Sequence, residues 1–109
     1  MTILTLNRKQ LEEKIGKITP EIEDRITMFG TPVETSTEDE ISVEIFPNRP
    51  DLLSLQGLSR SLIQFLKKPG IKKYKINPPQ EDFKITIDKS VKQVRPFTVC
   101  AIIKNIKFK

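Results

Sequence analysis

Residues 41–50, ISVEIFPNRP, leave this chain less conformational freedom than any other stretch. Ile41, Val43 and Ile45 alternate with Ser42, Glu44 and Phe46, the period-two pattern of a strand with one buried face. Two prolines then stop it. A residue before proline is pushed out of the helical region, and proline has no N–H to give a sheet ladder. Pro47-Asn48-Arg49-Pro50 must therefore turn the chain. Beyond the turn, Leu55, Leu58, Leu62, Phe65 and Leu66 follow helical spacing. Ser54 is placed to cap that helix, with Leu52 and Leu53 in an irregular turn before it. Gly57 in the first turns of a helix costs about 1 kcal/mol against alanine, so its presence predicts that something approaches the backbone closely there.

Upstream, residues 2–6 (TILTL) read as a short strand. Asn7 follows as an N-cap, Gln10 completes a capping-box pattern, and Leu6 and Leu11 stand where a hydrophobic staple would place them. Leu11 and Ile15 form one apolar stripe before Gly16 ends the helix. A second helix begins with Thr19 as cap, Pro20 at the first helical position, and Glu21 and Glu23 in the first turn. Ile22, Ile26 and Phe29 share one of its faces, and Gly30 and Pro32 end it. Val33-Glu34-Thr35 reads as a brief strand, and Glu38-Asp39-Glu40 as a solvated loop. Lys67-Lys68-Pro69-Gly70 stops the third helix, and residues 69–82 form a connector stiffened by Pro78-Pro79. Phe83, Ile85 and Ile87 read as one face of another strand. Residues 97–108 are apolar on both faces, as a strand buried on both sides would be. The fold class expected is α+β: about three helices on a small, mostly antiparallel sheet, with a truncated extra strand at the C-terminus.

The 109 residues suffice for one modest core. Hydrophobic residues are 37% of the total, low for a globular domain but above the disordered class. No apolar run is long enough for a membrane helix, and the first residues lack the layout of a secretory signal. Cys100 is the only cysteine, which excludes an internal disulfide and fits a cytoplasmic location. With no histidine at all, the commonest general base and metal ligand is missing, and a zinc site of the usual kind cannot be assembled. Asp51 has no His, Ser or Cys partner at a diagnostic spacing, and pairing it with Glu44 has no motif support. Arg49 and Arg60 flank a helix start, where anions are favoured, but Asp51 in the same turn would occupy those donors itself. On a plain structural reading Asp51 caps backbone amides, Asn48 satisfies the turn, and Arg49 or Arg60 pairs with a nearby acid.

Charge is uneven. Residues 1–66 carry 7 basic and 11 acidic side chains, a balance of −4, whereas residues 67–109 carry 12 and 3, a balance of +9. Such asymmetry marks either contact with a polyanion or a lysine-rich solvated surface.

The stretch VEIFPNRPDLLSLQGLSRSL resembles the strand–turn–helix signature of the phenylalanyl-tRNA synthetase β-subunit family, through Asn48, Arg49, Asp51, Leu52, Gly57 and Arg60. The first strand, the helices at 7–16 and up to Phe29-Gly30, and Val94-Arg95-Pro96-Phe97 with Ile103-Lys104-Asn105-Ile106-Lys107-Phe108 are similar to that family in the same order. Only the loop around Thr35–Glu40 separates the second helix from the Asn48-Arg49-Pro50-Asp51 strand, where common bacterial members insert an OB-fold. The likeness is thus to the archaeal and eukaryotic type.

The resemblance implies an amino-terminal, non-catalytic structural module of a β subunit. It would serve an α2β2 enzyme that attaches phenylalanine to tRNA(Phe) with ATP and Mg2+. The implied layout is a B1-like module at 1–68, a linker at 69–82, and strands at 83–109 leading into an editing domain. No catalytic, cofactor-binding or metal-ligating residue is assigned; Asn48, Arg49, Asp51, Gly57 and Arg60 form a structural signature. A stand-alone tRNA- or DNA-binding module using the basic 67–109 half, and a subunit-interface domain, stand as alternative readings.

Overall fold

Strand β3 (Glu40–Ile45) lies between β1 (Thr2–Asn7) and β2 (Val33–Ser36) in a three-stranded antiparallel sheet of order β1-β3-β2. The computed structural model describes residues 1–67, 69–70 and 73–108. Lys68 of the expected basic helix stop, Ile71 and Lys72 of the expected connector, and the terminal Lys109 lie outside them. The chain forms two compact units, Met1–Lys73 and Tyr74–Lys109.

In the first unit the alternation of β3 sets the register. Leu4 faces Val43 and Leu6 faces Ile41 across β1, while Val33 faces Val43 across β2. Ile41, Val43 and Ile45 are buried in one core cluster with Leu6, Leu11, Ile15, Ile18, Ile26, Leu52, Leu58 and Leu62. Being central, β3 also shields its opposite face: Ser42 is buried and its hydroxyl lies 2.8 Å from that of Thr5. The β2–β3 ladder slips between Val33 and Thr35, a bulge at the edge of the sheet.

Three helices cover the core face. Helix α1 (Arg8–Ile15) starts as its caps predict: the Gln10 amide donates to the Asn7 side chain at 3.0 Å. It ends at Gly16, whose φ of 97° only glycine adopts without strain. Helix α2 (Pro20–Met28) has Thr19 as N-cap and Pro20 in its first turn. Helix α3 (Leu55–Lys67) packs against α1 and buries Gly57, Leu58, Ser59 and Leu62. Leu58 and Leu62 are wholly excluded from water, a contribution of about 1.5–3 kcal/mol each. The α+β expectation of three helices on a small antiparallel sheet holds in this unit.

The second unit corrects the expectation for its strands. Among its described residues the one regular element is a 3-10 helix at Lys89–Gln93, capped by Asp88, whose side chain accepts from the Ser90 amide at 2.8 Å. Residues 83–87 and 97–108 form no ladder. Phe97, Val99 and Phe108 are more than nine-tenths exposed. The physical reason is pairing: an apolar, β-branched run becomes a strand only when a neighbour takes its N–H and C=O groups. Lys104 instead pairs with Glu81 at 3.0 Å and sits 4.8 Å over the Phe83 ring. No helix among the described residues is long and apolar enough to cross a membrane.

Candidate functional site

The turn after β3 closes through backbone bonds. The Arg49 amide donates to the Phe46 carbonyl at 3.0 Å, and the Leu52 amide to the Arg49 carbonyl at 3.1 Å. Pro50–Leu52 make one turn of 3-10 helix that drives Leu52 into the core and leaves Leu53 exposed. Ser54 then caps α3 as expected: its hydroxyl accepts from the Gly57 amide at 3.0 Å, and its carbonyl from the Leu58 amide at 2.9 Å. The close approach predicted at Gly57 comes from the Asp51 carbonyl. A Cβ on Gly57 would overlap that oxygen and lie 3.1 Å from its carbon and 3.2 Å from the Ser54 hydroxyl. The 3-10 turn thus folds directly back over the first turn of α3.

Asp51 does not cap the helix, which corrects the sequence-based expectation. Its carboxylate accepts two bonds from Arg49, Nε to Oδ1 at 3.0 Å and Nη2 to Oδ2 at 2.9 Å. Two residues apart across a tight turn, this fork-to-fork geometry is within reach, while Ser54 already serves the helix amides. The Arg49 hydrogen bonds hold the Asp51 carboxyl below its ordinary range, with the Arg60 charge adding to the effect. Asp51 in turn raises Arg49. Arg60 and Asn48 are exposed. Asn48 makes no side-chain hydrogen bond to the described residues, so it does not hold the turn as expected.

Arg49 also reaches sideways. Its guanidinium stands 5.5 Å over the Phe29 ring, Phe29 meets Phe65 at 5.4 Å, and Arg25 lies 5.5 Å over Phe65. Arg25 further donates to the Phe65 carbonyl at 3.3 Å. An Arg–Phe–Phe–Arg stack therefore bridges the joint, the end of α2 and the end of α3. The apolar stripes of α2 and α3 held both phenylalanines, but nothing in their spacing indicated the contact between them.

A second hub escaped the sequence reading altogether. Arg8, the first residue of α1, contacts Glu12 at 3.3 Å and Glu23 at 3.5 Å. It also donates to the Ser36 hydroxyl at 2.7 Å, the Thr37 carbonyl at 2.9 Å and the Ile18 carbonyl at 2.7 Å. Glu12 accepts the Ile18 amide at 3.1 Å, which, with Arg8 and Lys17, holds its carboxyl low against the opposing effect of desolvation. One side chain thereby ties together α1, the α1–α2 loop, α2 and the end of β2. A cation at a helix N-terminus opposes the helix dipole, and that local conflict was the available signal.

Taken together, the joint and the hub hold backbone segments in place. Among the described residues, no group of three or more His, Cys, Asp or Glu side chains is arranged to hold a metal ion. Asp51 is committed to Arg49, and Ser54 to the Gly57 amide.

No protein-family model matches the chain, and no solved structure matches it. Curated proteins do. The chain is 37% identical to the phenylalanine–tRNA ligase beta subunit of Methanosarcina barkeri over 99% of its own length. It is 38% identical to that of Archaeoglobus fulgidus over 98%, and 33% identical to that of Saccharomyces cerevisiae over 98%. It spans about a fifth of the length of each of these relatives. By sequence, then, the chain is similar over nearly its whole length to about one fifth of these phenylalanine–tRNA ligase beta subunits.

Proposed function

We propose that the chain is the amino-terminal, non-catalytic structural module of a phenylalanine–tRNA ligase beta subunit. In this reading it serves an α2β2 enzyme that attaches phenylalanine to tRNA(Phe) in the cytoplasm, with ATP and Mg2+ bound elsewhere in the assembly. The observation that carries the reading is the end-to-end likeness to archaeal and yeast beta subunits at 33–38% identity. The geometry supports a structural role, because Arg49 and Asp51 of the joint and Arg8, Glu12 and Glu23 of the hub are bonded to one another or to backbone. Asn48, Arg49, Asp51, Gly57 and Arg60 would be the module's signature, a rigid strand-to-helix joint. Residues 1–68 would be the module and 69–82 a linker. Residues 83–109 would enter an editing domain, whose neighbouring strands would pair the exposed 97–108 segment.

The test is a chimera. Exchanging the matching fifth of the Methanosarcina barkeri beta subunit for this chain and co-expressing it with the alpha subunit should leave tRNA phenylalanylation within a few-fold of the parent. The chain alone should charge no tRNA. A chimera that assembles but has lost charging, or activity of the chain alone, would overturn the proposal.

A further inference from the structure

In the second unit, Lys89, Lys92 and Arg95 line one hollow beside the 3-10 helix, together with Ile87, Asp88, Pro96 and Thr98. None of the three cations has an ion-pair partner among the described residues. The one acid in the lining, Asp88, caps the 3-10 helix: its side chain accepts from the Ser90 amide, and hydrogen bonding to the Ser90 side chain, then to that amide, holds its carboxyl below its ordinary range. The unit as a whole, Tyr74–Lys109, carries 8 basic and 3 acidic residues.

Three like charges converging on one hollow repel each other, and the arrangement is relieved when an anion enters. Lys89 and Lys92 stand three residues apart on the 3-10 helix and Arg95 lies just past its end, so the three cations are spread along the chain rather than drawn from one position. That suits a chain of phosphates better than a single compact ion. Thr98 adds a neutral hydroxyl at the rim, while Ile87 and Pro96 supply an apolar wall against which a sugar can lie. We propose that this hollow binds the phosphodiester backbone of RNA, with Lys89, Lys92 and Arg95 as the phosphate contacts. The inference deepens the reading of the chain as part of a tRNA-charging enzyme, but it stands on charge geometry and fails independently of that reading.

The test uses the full 109-residue chain and a fluorescein-labelled single-stranded RNA, titrated at several salt concentrations. Each phosphate contact contributes about 0.7 to the slope of log K against log salt for single strands. The variant K89Q/K92Q/R95Q should therefore flatten the slope by about 2 and weaken binding roughly tenfold or more near 0.1 M salt. The single variant K92Q should do about a third of this, which keeps the test decisive if the triple variant misfolds. A matched control in the first unit, K9Q/K14Q/K17Q, should leave the slope nearly unchanged. Equal losses in both triple variants would mean diffuse attraction and overturn the site, as would the absence of binding by the parent chain. Displacement of RNA by inorganic phosphate at submillimolar concentration would assign the hollow to free phosphate and overturn the RNA assignment.

Discussion

The backbone of Gly57, in the first turn of α3, lies directly against the carbonyl of Asp51, leaving no room for a side chain between them. This contact makes the 3-10 turn and the helix one rigid piece. Strand β3, buried on its core face, holds the other end.

Gly57→Ala measures that contact. Alanine would favour the helix by about 1 kcal/mol, but its Cβ meets backbone, which cannot swing aside as a flexible side chain can. Overpacking costs about 1–3 kcal/mol, and the collision here belongs at the upper end. The net expectation is a loss of about 2 kcal/mol, read as a lower urea midpoint at unchanged m. A midpoint equal to or above the parent's would show that the joint yields at no cost.

Arg49 contributes through shape as well as charge, because it makes a fork to Asp51 and a stack on Phe29. Arg49→Lys keeps the charge and loses the planar fork and the stack. Both partners of the ion pair are about two-fifths exposed, so solvent screens most of the pair's worth. Loss of the stack is then the larger effect, about 0.5–1 kcal/mol. Arg49→Lys and Arg49→Met should lower the denaturation midpoint by similar amounts, and full rescue by lysine would assign the effect to charge alone.

What could be read from the sequence followed how local each determinant is. Asn7, Thr19, Ser54 and Gly16 act within one helical turn, and each stands where its residue type predicts. The Gly57 contact was legible because glycine in a helix is a local misfit that demands a reason. Arg8 and the Phe29–Phe65 stack join positions brought together only by the tertiary fold, and no spacing rule reaches them. Asp51 went to Arg49 because a bidentate partner two residues away competes better than amides already served by Ser54. Residues 97–108 show the opposite limit: a run apolar on both faces states a capacity to pair, and a partner strand must exist for the ladder to form.

Arg8→Ala should be the most disruptive surface-proximal substitution in the first unit. The side chain is 18% exposed, and its removal leaves Glu12, Glu23 and the Ile18 and Thr37 carbonyls short of a donor. Hydrogen bonds to charged groups are worth about 1.5–3 kcal/mol, and water can replace some of them at this partly open site. A loss of about 2–3 kcal/mol follows, measured by urea unfolding, with Arg8→Lys recovering less than half because an ammonium cannot reach so many acceptors at once. A loss under about 0.5 kcal/mol would place the hub among ordinary surface ion pairs.

Acid should weaken the same two sites, for Asp51 and Glu12 are both held below their ordinary pKa in the folded chain. A depressed folded pKa means the unfolded chain binds protons first as pH falls, so stability declines on the acid side. The contribution is complete above the unfolded carboxylate value of about 4 and is lost as pH falls through the lower folded value. Asp51→Asn removes one of the two groups and leaves Glu12. The stability difference between parent and Asp51→Asn should therefore be constant from about pH 6 to 8. It should shrink below about pH 4 as the parent's Asp51 takes up its proton. Urea midpoints of the two proteins across that range decide it, and a difference that grows on acidification would reverse the sign assigned to the Arg49–Asp51 pair.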